Sequence, residues 1–148
     1  MLTRYLKMIE NSRVYDVARE TPLEEAARLS RRLGNRVLMK REDLQPVHSF
    51  KLRGAYNKIA GLSAADCARG VIAASAGNHA QGVALAANKL GVKALIVMPL
   101  TTPSIKIESV KDYGARIKLV GDTYDDAYRF AAAHAKDAGL TFIHPYDD

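Results

Sequence analysis

The sequence predicts an α/β fold, a three-layer α/β/α arrangement around a parallel sheet. Three observations predict it. Short β-prone runs recur at "VIAA" (71–74), "ALIVM" (94–98), "RIKLV" (116–120) and "TFI" (141–143). Each interval between them carries a helical pattern closed by glycine. Continuous apolar strands that alternate with amphipathic helices fit a sheet covered on both faces. The units share no internal motif, so the rhythm is that of βαβ units and not of a solenoid.

The elements follow in order. Residues 1–20 have room for one helix, and "TPLEEAARLSRRLG" (21–34) for a second that ends at Gly34. "RVLMK" (36–40) reads as a strand. "EDLQPVH" (42–48) is polar and contains Pro46, so it reads as a connecting loop and a crossover between domains. In "FKLRGAYNKIAGL" (50–62) Leu52, Ala55, Tyr56 and Ile59 share a helix face, with Ser49 as the cap. After the 71–74 strand, Ala80, Val83, Ala84, Ala87 and Leu90 form an apolar stripe before Gly91. In "TPSIKIESVKDYG" Thr102 is the expected cap, Pro103 the first helical residue and Gly114 the stop. The last helix is expected to start at a Thr123–Asp126 capping box and end at Gly139. Its inward stripe is Tyr124, Ala127, Tyr128, Ala131, Ala135 and Ala138.

Composition narrows the class. The chain has 148 residues, 48% hydrophobic and 26% charged, which suits a folded globular protein. Cys67 is the only cysteine, which excludes an internal disulfide and a cysteine-built zinc site. No apolar run reaches bilayer length, and the first residues lack a signal-peptide core, so a cytoplasmic protein is expected. The net charge of +6 is scattered and not gathered into one block. It fits a solvated surface, a small anionic ligand or, less well, nucleic acid.

Two stretches carry possible chemistry. In "HSFKLRG" (48–54) a Ser49 cap would set Phe50 and Lys51 in the first helical turn. The helix dipole, Arg53 nearby and burial beside Phe50 would each favour a neutral amine at Lys51, as a Schiff-base nucleophile requires. A surface lysine at a helix start has the same local sequence. "ASAGNHAQG" (74–82) follows a strand and opens a helix, a geometry that offers backbone N–H groups to an anion. A simple turn capped by Asn78 is the other reading. Gly77 and Gly82 have the spacing of a P-loop, but Val83-Ala84 stands where Lys-Ser/Thr belongs, which disfavours a nucleoside triphosphate. His48, His79, His134 and His144 have no metal-ligand spacing, and no metal site is expected.

Taken together, "KREDLQPVHSFKLRGAYNK" and "ASAGNHAQGVA", with "TPL", "VMP" and the closing "PYDD", resemble the threonine ammonia-lyases, also called threonine deaminases or dehydratases. These belong to the tryptophan-synthase-β-like, fold type II group of pyridoxal-phosphate enzymes. "PVHSFK" is similar to the biosynthetic branch. The resemblance implies deamination of L-threonine to 2-oxobutanoate and ammonia, the first step of isoleucine biosynthesis, with L-serine as a slower substrate. It implies that Lys51 is the catalytic lysine and bonds the pyridoxal 5'-phosphate. It further implies that Phe50 lies against the cofactor ring and Asn78 contacts its phenolic oxygen. Ser75, Ala76, Gly77 and His79 would grip the substrate carboxylate.

The same resemblance implies a homo-oligomer for the full-length enzyme, with no nucleic-acid or membrane partner. It also implies a division of the chain. Residues 1–42 would be a lead-in segment belonging to the large domain, and residues 43–148 the small, mobile, lysine-bearing domain. No "GGGGL"-like phosphate loop occurs, so the chain is expected to be an incomplete fragment with little activity alone. A serine racemase or serine dehydratase is the alternative within the group. A basic anion- or nucleotide-binding module is the alternative outside it.

Overall fold

The computed structural model describes residues 2–147; Met1 and Asp148, the outer ends of the two expected segments, lie outside the described residues. Six strands and seven α-helices are described: α1 (Leu2–Glu10), β1 (Leu23–Glu25), α2 (Ala27–Leu33), β2 (Leu38–Lys40), α3 (Lys51–Ala60), α4 (Ala64–Arg69), β3 (Val71–Ala74), α5 (Asn78–Lys89), β4 (Ala94–Met98), α6 (Ser104–Asp112), β5 (Arg116–Leu119), α7 (Tyr124–Ala138) and β6 (Thr141–Phe142). None of these helices is long and apolar enough to cross a membrane.

The four strands expected from residue 71 onward form one parallel sheet in the order β5-β4-β3-β6. Val71 is in register with Ala94 on one side and with Thr141 on the other. Side chains alternate across each strand, so one strand feeds both faces. Val71, Ala73, Ile96 and Met98 pack with α3, α5 and α6 through Ala55, Ile59, Ala80, Val83, Ala84 and Val110. Ile72, Ala74 and Val97 pack on the other face against Ala127, Ala131 and Ala135 of α7. All four residues of β3 are buried, which is why its sequence runs apolar without alternation. The three layers match the expected architecture.

Several details differ. Leu23–Glu25, expected to be helical, is a strand that pairs antiparallel with β2 in a separate two-stranded sheet. All six residues of this two-stranded sheet are exposed, so no hydrophobic period marks β1. Helix α4 lies where no element was expected, and its start is set by the Ser63 hydroxyl, which accepts from the Asp66 N–H at 3.1 Å. Helix α6 begins at Ser104, not at Pro103. Pro103 has ψ 140°, outside the helical range, and its carbonyl accepts the first helical bonds. Thr102 therefore does not cap it. The Thr102 hydroxyl is buried without a hydrogen-bond partner among the described residues.

The start of α7 agrees with expectation. Asp126 N–H donates to Thr123 Oγ1 at 3.2 Å, and Thr123 N–H donates to Asp126 Oδ2 at 3.1 Å. Those bonds, the Thr123 hydroxyl first among them, hold the Asp126 carboxyl down at about 2. Along the expected inward stripe, Tyr124 and Ala138 prove exposed because they sit at the two ends of the helix, beyond the sheet.

Candidate active site at the reversal of strand order

Strand order creates the site. The chain runs outward from β3 to β4 to β5, then returns so that β6 lies on the other side of β3. Ligands in open parallel sheets bind beyond the carboxyl ends of the strands where the order reverses. Here that point lies between the segment after β3, Ser75–Gly77, and the segment after β6, residues 143–146. Helices α3 and α5 bring Lys51 and His79 to it.

Lys51 is the first residue of α3. Ser49 does not occupy the cap position; Phe50 does, in a helical conformation. The serine still serves the helix start, because its Oγ accepts the Lys51 N–H at 3.2 Å. The shift of one residue follows a tight turn in which His48 N–H donates to the Gln45 carbonyl at 2.8 Å and His48 adopts φ +53°. The Lys51 amine donates to the Pro145 carbonyl at 2.5 Å and lies 5.4 Å from the Phe50 ring centre.

The expected surroundings of the amine are met in part. Lys51 is half-buried at a helix N-terminus. Phe50, however, is 58% exposed, so its ring is a free face and not a covering wall. Arg53 also turns away, to pair with Glu42.

His79 is buried in the first turn of α5, with Nε2 2.9 Å from the Ile143 carbonyl. A carbonyl oxygen only accepts, so Nε2 carries the proton in this contact. Lys51 and His79 thus meet the same stretch of backbone, two residues apart. Phe50, Lys51 and His79 line one cleft of about 810 Å³ with Gly54, Pro145 and Tyr146.

Ser75, Ala76, Gly77 and Asn78 are not among the lining residues of that cleft; they form the neighbouring turn. Ser75 Oγ accepts the Gly77 N–H at 3.2 Å, which shapes this turn, and Asn78 is exposed at the first position of α5. The first-turn N–H groups of a helix have no acceptor within it, so this end favours an anion.

Sequence reasoning assigned no role to three features that shape the site. Residues 143–146 close it, a role that follows from β6 lying beside β3. Gly82 lets α5 reach the backbone of Lys51. Glu42 binds the back of α3, with its carboxylate accepting from Arg53 Nε at 2.8 Å and Nη2 at 3.0 Å. The Arg53 fork is the main reason that the Glu42 carboxyl stays down at about 2, with Thr21 and Gln45 helping against the opposing effect of burial.

Comparison with known proteins gives the family. Residues 14–148 match the model for "Pyridoxal-phosphate dependent enzyme". The chain is 60% identical over 143 residues to L-threonine dehydratase biosynthetic IlvA of Pasteurella multocida, covering 97% of this chain and 28% of that protein. It is 58% identical to the biosynthetic, chloroplastic threonine dehydratase of Arabidopsis thaliana, covering 97% of this chain and 24% of that protein. The processed form of threonine deaminase isoform 2 from Solanum lycopersicum superposes with a TM-score of 0.95 at 54% identity, covering 99% of this chain and 40% of that one. Maize serine racemase superposes with a TM-score of 0.89 at 31% identity, covering 96% and 44%. The chain spans about a quarter of the length of the curated relatives it matches. A match over nearly its whole length, on a parallel sheet whose strand reversal gathers a lysine at a helix start, makes this chain a member of the pyridoxal-phosphate dependent enzyme family.

Proposed function

We propose that the chain supplies the lysine-bearing part of a threonine dehydratase, which converts L-threonine to 2-oxobutanoate and ammonia at the start of isoleucine formation. The convergence of Lys51 and His79 on the backbone after β6 carries this reading. The identity to threonine dehydratases, higher than that to serine racemase, directs it toward threonine.

In this reading Lys51 would hold pyridoxal phosphate through its amine, with Phe50 against the ring and Asn78 as a donor to the phenolic oxygen. The residues suit such a group. An amine stands beside an exposed aromatic face, in a cleft within the ordinary size range for small-ligand sites. Pyridoxal phosphate, when bound, supplies an electron sink for the charge left at the substrate's α-carbon.

The protein's own residues do the rest. Lys51 Nζ, freed when the substrate's own amine takes its place on the cofactor, would take the α-proton as a base. The turn of Ser75, Ala76, Gly77 and His79, at the N-terminal end of α5, receives the substrate carboxylate, which fixes the α-carbon relative to Nζ. The His79 side chain serves this turn from behind by anchoring it to the exit of β6. L-serine also carries a β-hydroxyl and is expected as a second substrate. The proposal divides the chain near residue 42. Its support is that β1 and β2 form a sheet of their own, apart from the four-stranded one.

Borohydride reduction of the chain mixed with pyridoxal phosphate, followed by peptide mapping, tests the lysine. The label is expected on Lys51 and is expected to disappear in Lys51→Ala. A dominant label on another lysine overturns the assignment. Assay of the full-length protein for 2-oxobutanoate from threonine and pyruvate from serine tests the substrate; faster pyruvate formation overturns it.

A further inference from the structure

The first turn of α3 is held from behind by a polar hub. Besides the Arg53 fork, the Glu42 carboxylate accepts from Thr21 Oγ1 at 2.6 Å and from Gln45 Nε2 at 3.3 Å. Gln45 is 1% exposed. Its side chain accepts from the Arg19 N–H at 2.9 Å and donates to the Arg19 carbonyl at 2.8 Å. Arg53 Nη2 donates to that carbonyl as well, at 3.1 Å. The Tyr15 ring lies 5.4 Å from the Arg53 guanidinium. The hub thus ties residues 15–21 and 42–45 to one residue of α3.

Its geometry differs from that of an ordinary surface pair. Exposed ion pairs contribute little because water competes for both partners. Here the side chains of Arg53 and Glu42 are only 24% and 17% exposed. The contact is a planar fork, and a lysine ammonium cannot reproduce its two parallel bonds. Residues two apart on a helix point to opposite sides. Arg53 therefore grips the back of the turn from which Lys51 reaches forward to Pro145. Gly82 packs on the Lys51 backbone as a second restraint.

We propose that the Arg53–Glu42 fork is a positioning pair for Lys51, an inference that rests on Lys51 being the cofactor-bearing lysine. The fork fixes the rotation and depth of the first turn of α3, and so keeps the Lys51 amine at the β3–β6 reversal. Loss of the fork lets the turn rotate, and the amine leaves the position from which it meets an aldehyde in the cleft.

The test uses the whole 148-residue chain with pyridoxal phosphate as the probe. Two signals are read: the ratio of borohydride-trapped label at Lys51 to that at Lys58, farther along the same helix, and the visible absorbance of the lysine-bound cofactor. Wild-type chain is expected to label at Lys51 in preference. Arg53→Lys and Glu42→Gln are each expected to lower the Lys51:Lys58 ratio about tenfold, short of the roughly hundredfold loss that a 1 Å misplacement of a reacting group can cause. They should also weaken the visible band, at temperatures where circular dichroism shows the chain folded. Thr21→Val, which leaves the fork intact but frees one side of Glu42, should give a smaller drop.

Tyr56→Phe is the control. It removes a 3.1 Å bond to Asp16 from the same helix, and should lower stability without moving the ratio. An unchanged ratio in folded Arg53→Lys or Glu42→Gln overturns the positioning role and leaves the Lys51 reading intact. Preferential wild-type labelling away from Lys51 overturns both. If Glu42→Gln does not fold, Arg53→Lys and Thr21→Val decide the matter by the same ratio.

Discussion

Gly82 of α5 lies directly on the backbone of Lys51. A Cβ at position 82 would stand 3.0 Å from the Lys51 carbonyl carbon and 3.1 Å from both the Lys51 oxygen and the Leu52 nitrogen. Those neighbours are main-chain atoms and cannot swing aside. Gly82→Ala must therefore push α3 away from α5, at a cost of about 1–3 kcal/mol for overpacking. Urea unfolding is expected to show this loss, and trapping of pyridoxal phosphate at Lys51 should fall in the folded variant. Gly54→Ala is the contrast. Nothing lies within 4 Å of its added Cβ, and alanine is the better helix former, so a gain of about 0.5–1 kcal/mol is expected.

The hub at Glu42 predicts an acid-sensitive stability. Its carboxyl sits at about 2 in the folded chain against an ordinary value of 4.5. A carboxyl depressed by folding contributes stability that is complete above its ordinary value and is lost as pH falls toward the folded one. The window is therefore between pH 4.5 and 2. Asp126, depressed by its cap bonds, adds loss of the same sign. Thermal unfolding followed across that window should show stability falling with acid. The fall should be shallower in Glu42→Gln, which has no carboxylate there to protonate; an identical slope would remove Glu42 from the account.

The Thr102 hydroxyl offers the opposite kind of prediction. It is buried with no hydrogen-bond partner among the described residues. An unpaired buried hydroxyl carries a desolvation cost of about 1–3 kcal/mol. Thr102→Val keeps the shape and removes the polar atom, so unfolding should show a gain of about 1 kcal/mol. A loss of that size would mean that the hydroxyl has a partner in solution.

The parts of the fold legible in the sequence are those where one local pattern has one physical cause. β3 and β4 read as strands because burial on two faces demands apolar residues throughout. Thr123 and Asp126 read as a helix start because three residues of spacing suffice for both cap bonds. β1 was hidden because Leu23, Glu24 and Glu25 are all exposed, and pairing with β2 is what makes them a strand. α4 could have been found from the Ser63–Asp66 spacing, a capping signal followed by only a short helix.

The site divides in the same way. Lys51 and the Ser75–His79 turn lie in motifs and were visible. Residues 143–146 were not, since their approach to Lys51 depends on which side of β3 the last strand takes. Glu42 and Gln45 sit in a polar stretch that reads as a plain connection. Their partners, Arg53 and Arg19, are distant in sequence and are joined to them only by folding.

The place of β6 beside β3 also sets a timetable for biosynthesis. A ribosome releases Lys51 and His79 long before it releases Pro145, so the carbonyls that meet them arrive after them. Until then one flank of β3 has no neighbour, although every residue of that strand is buried in the finished molecule. A nascent chain paused after α7 therefore presents a sticky, unpaired ribbon, open to joining another chain. Its protection in the cell would depend on how quickly translation passes residues 141–146.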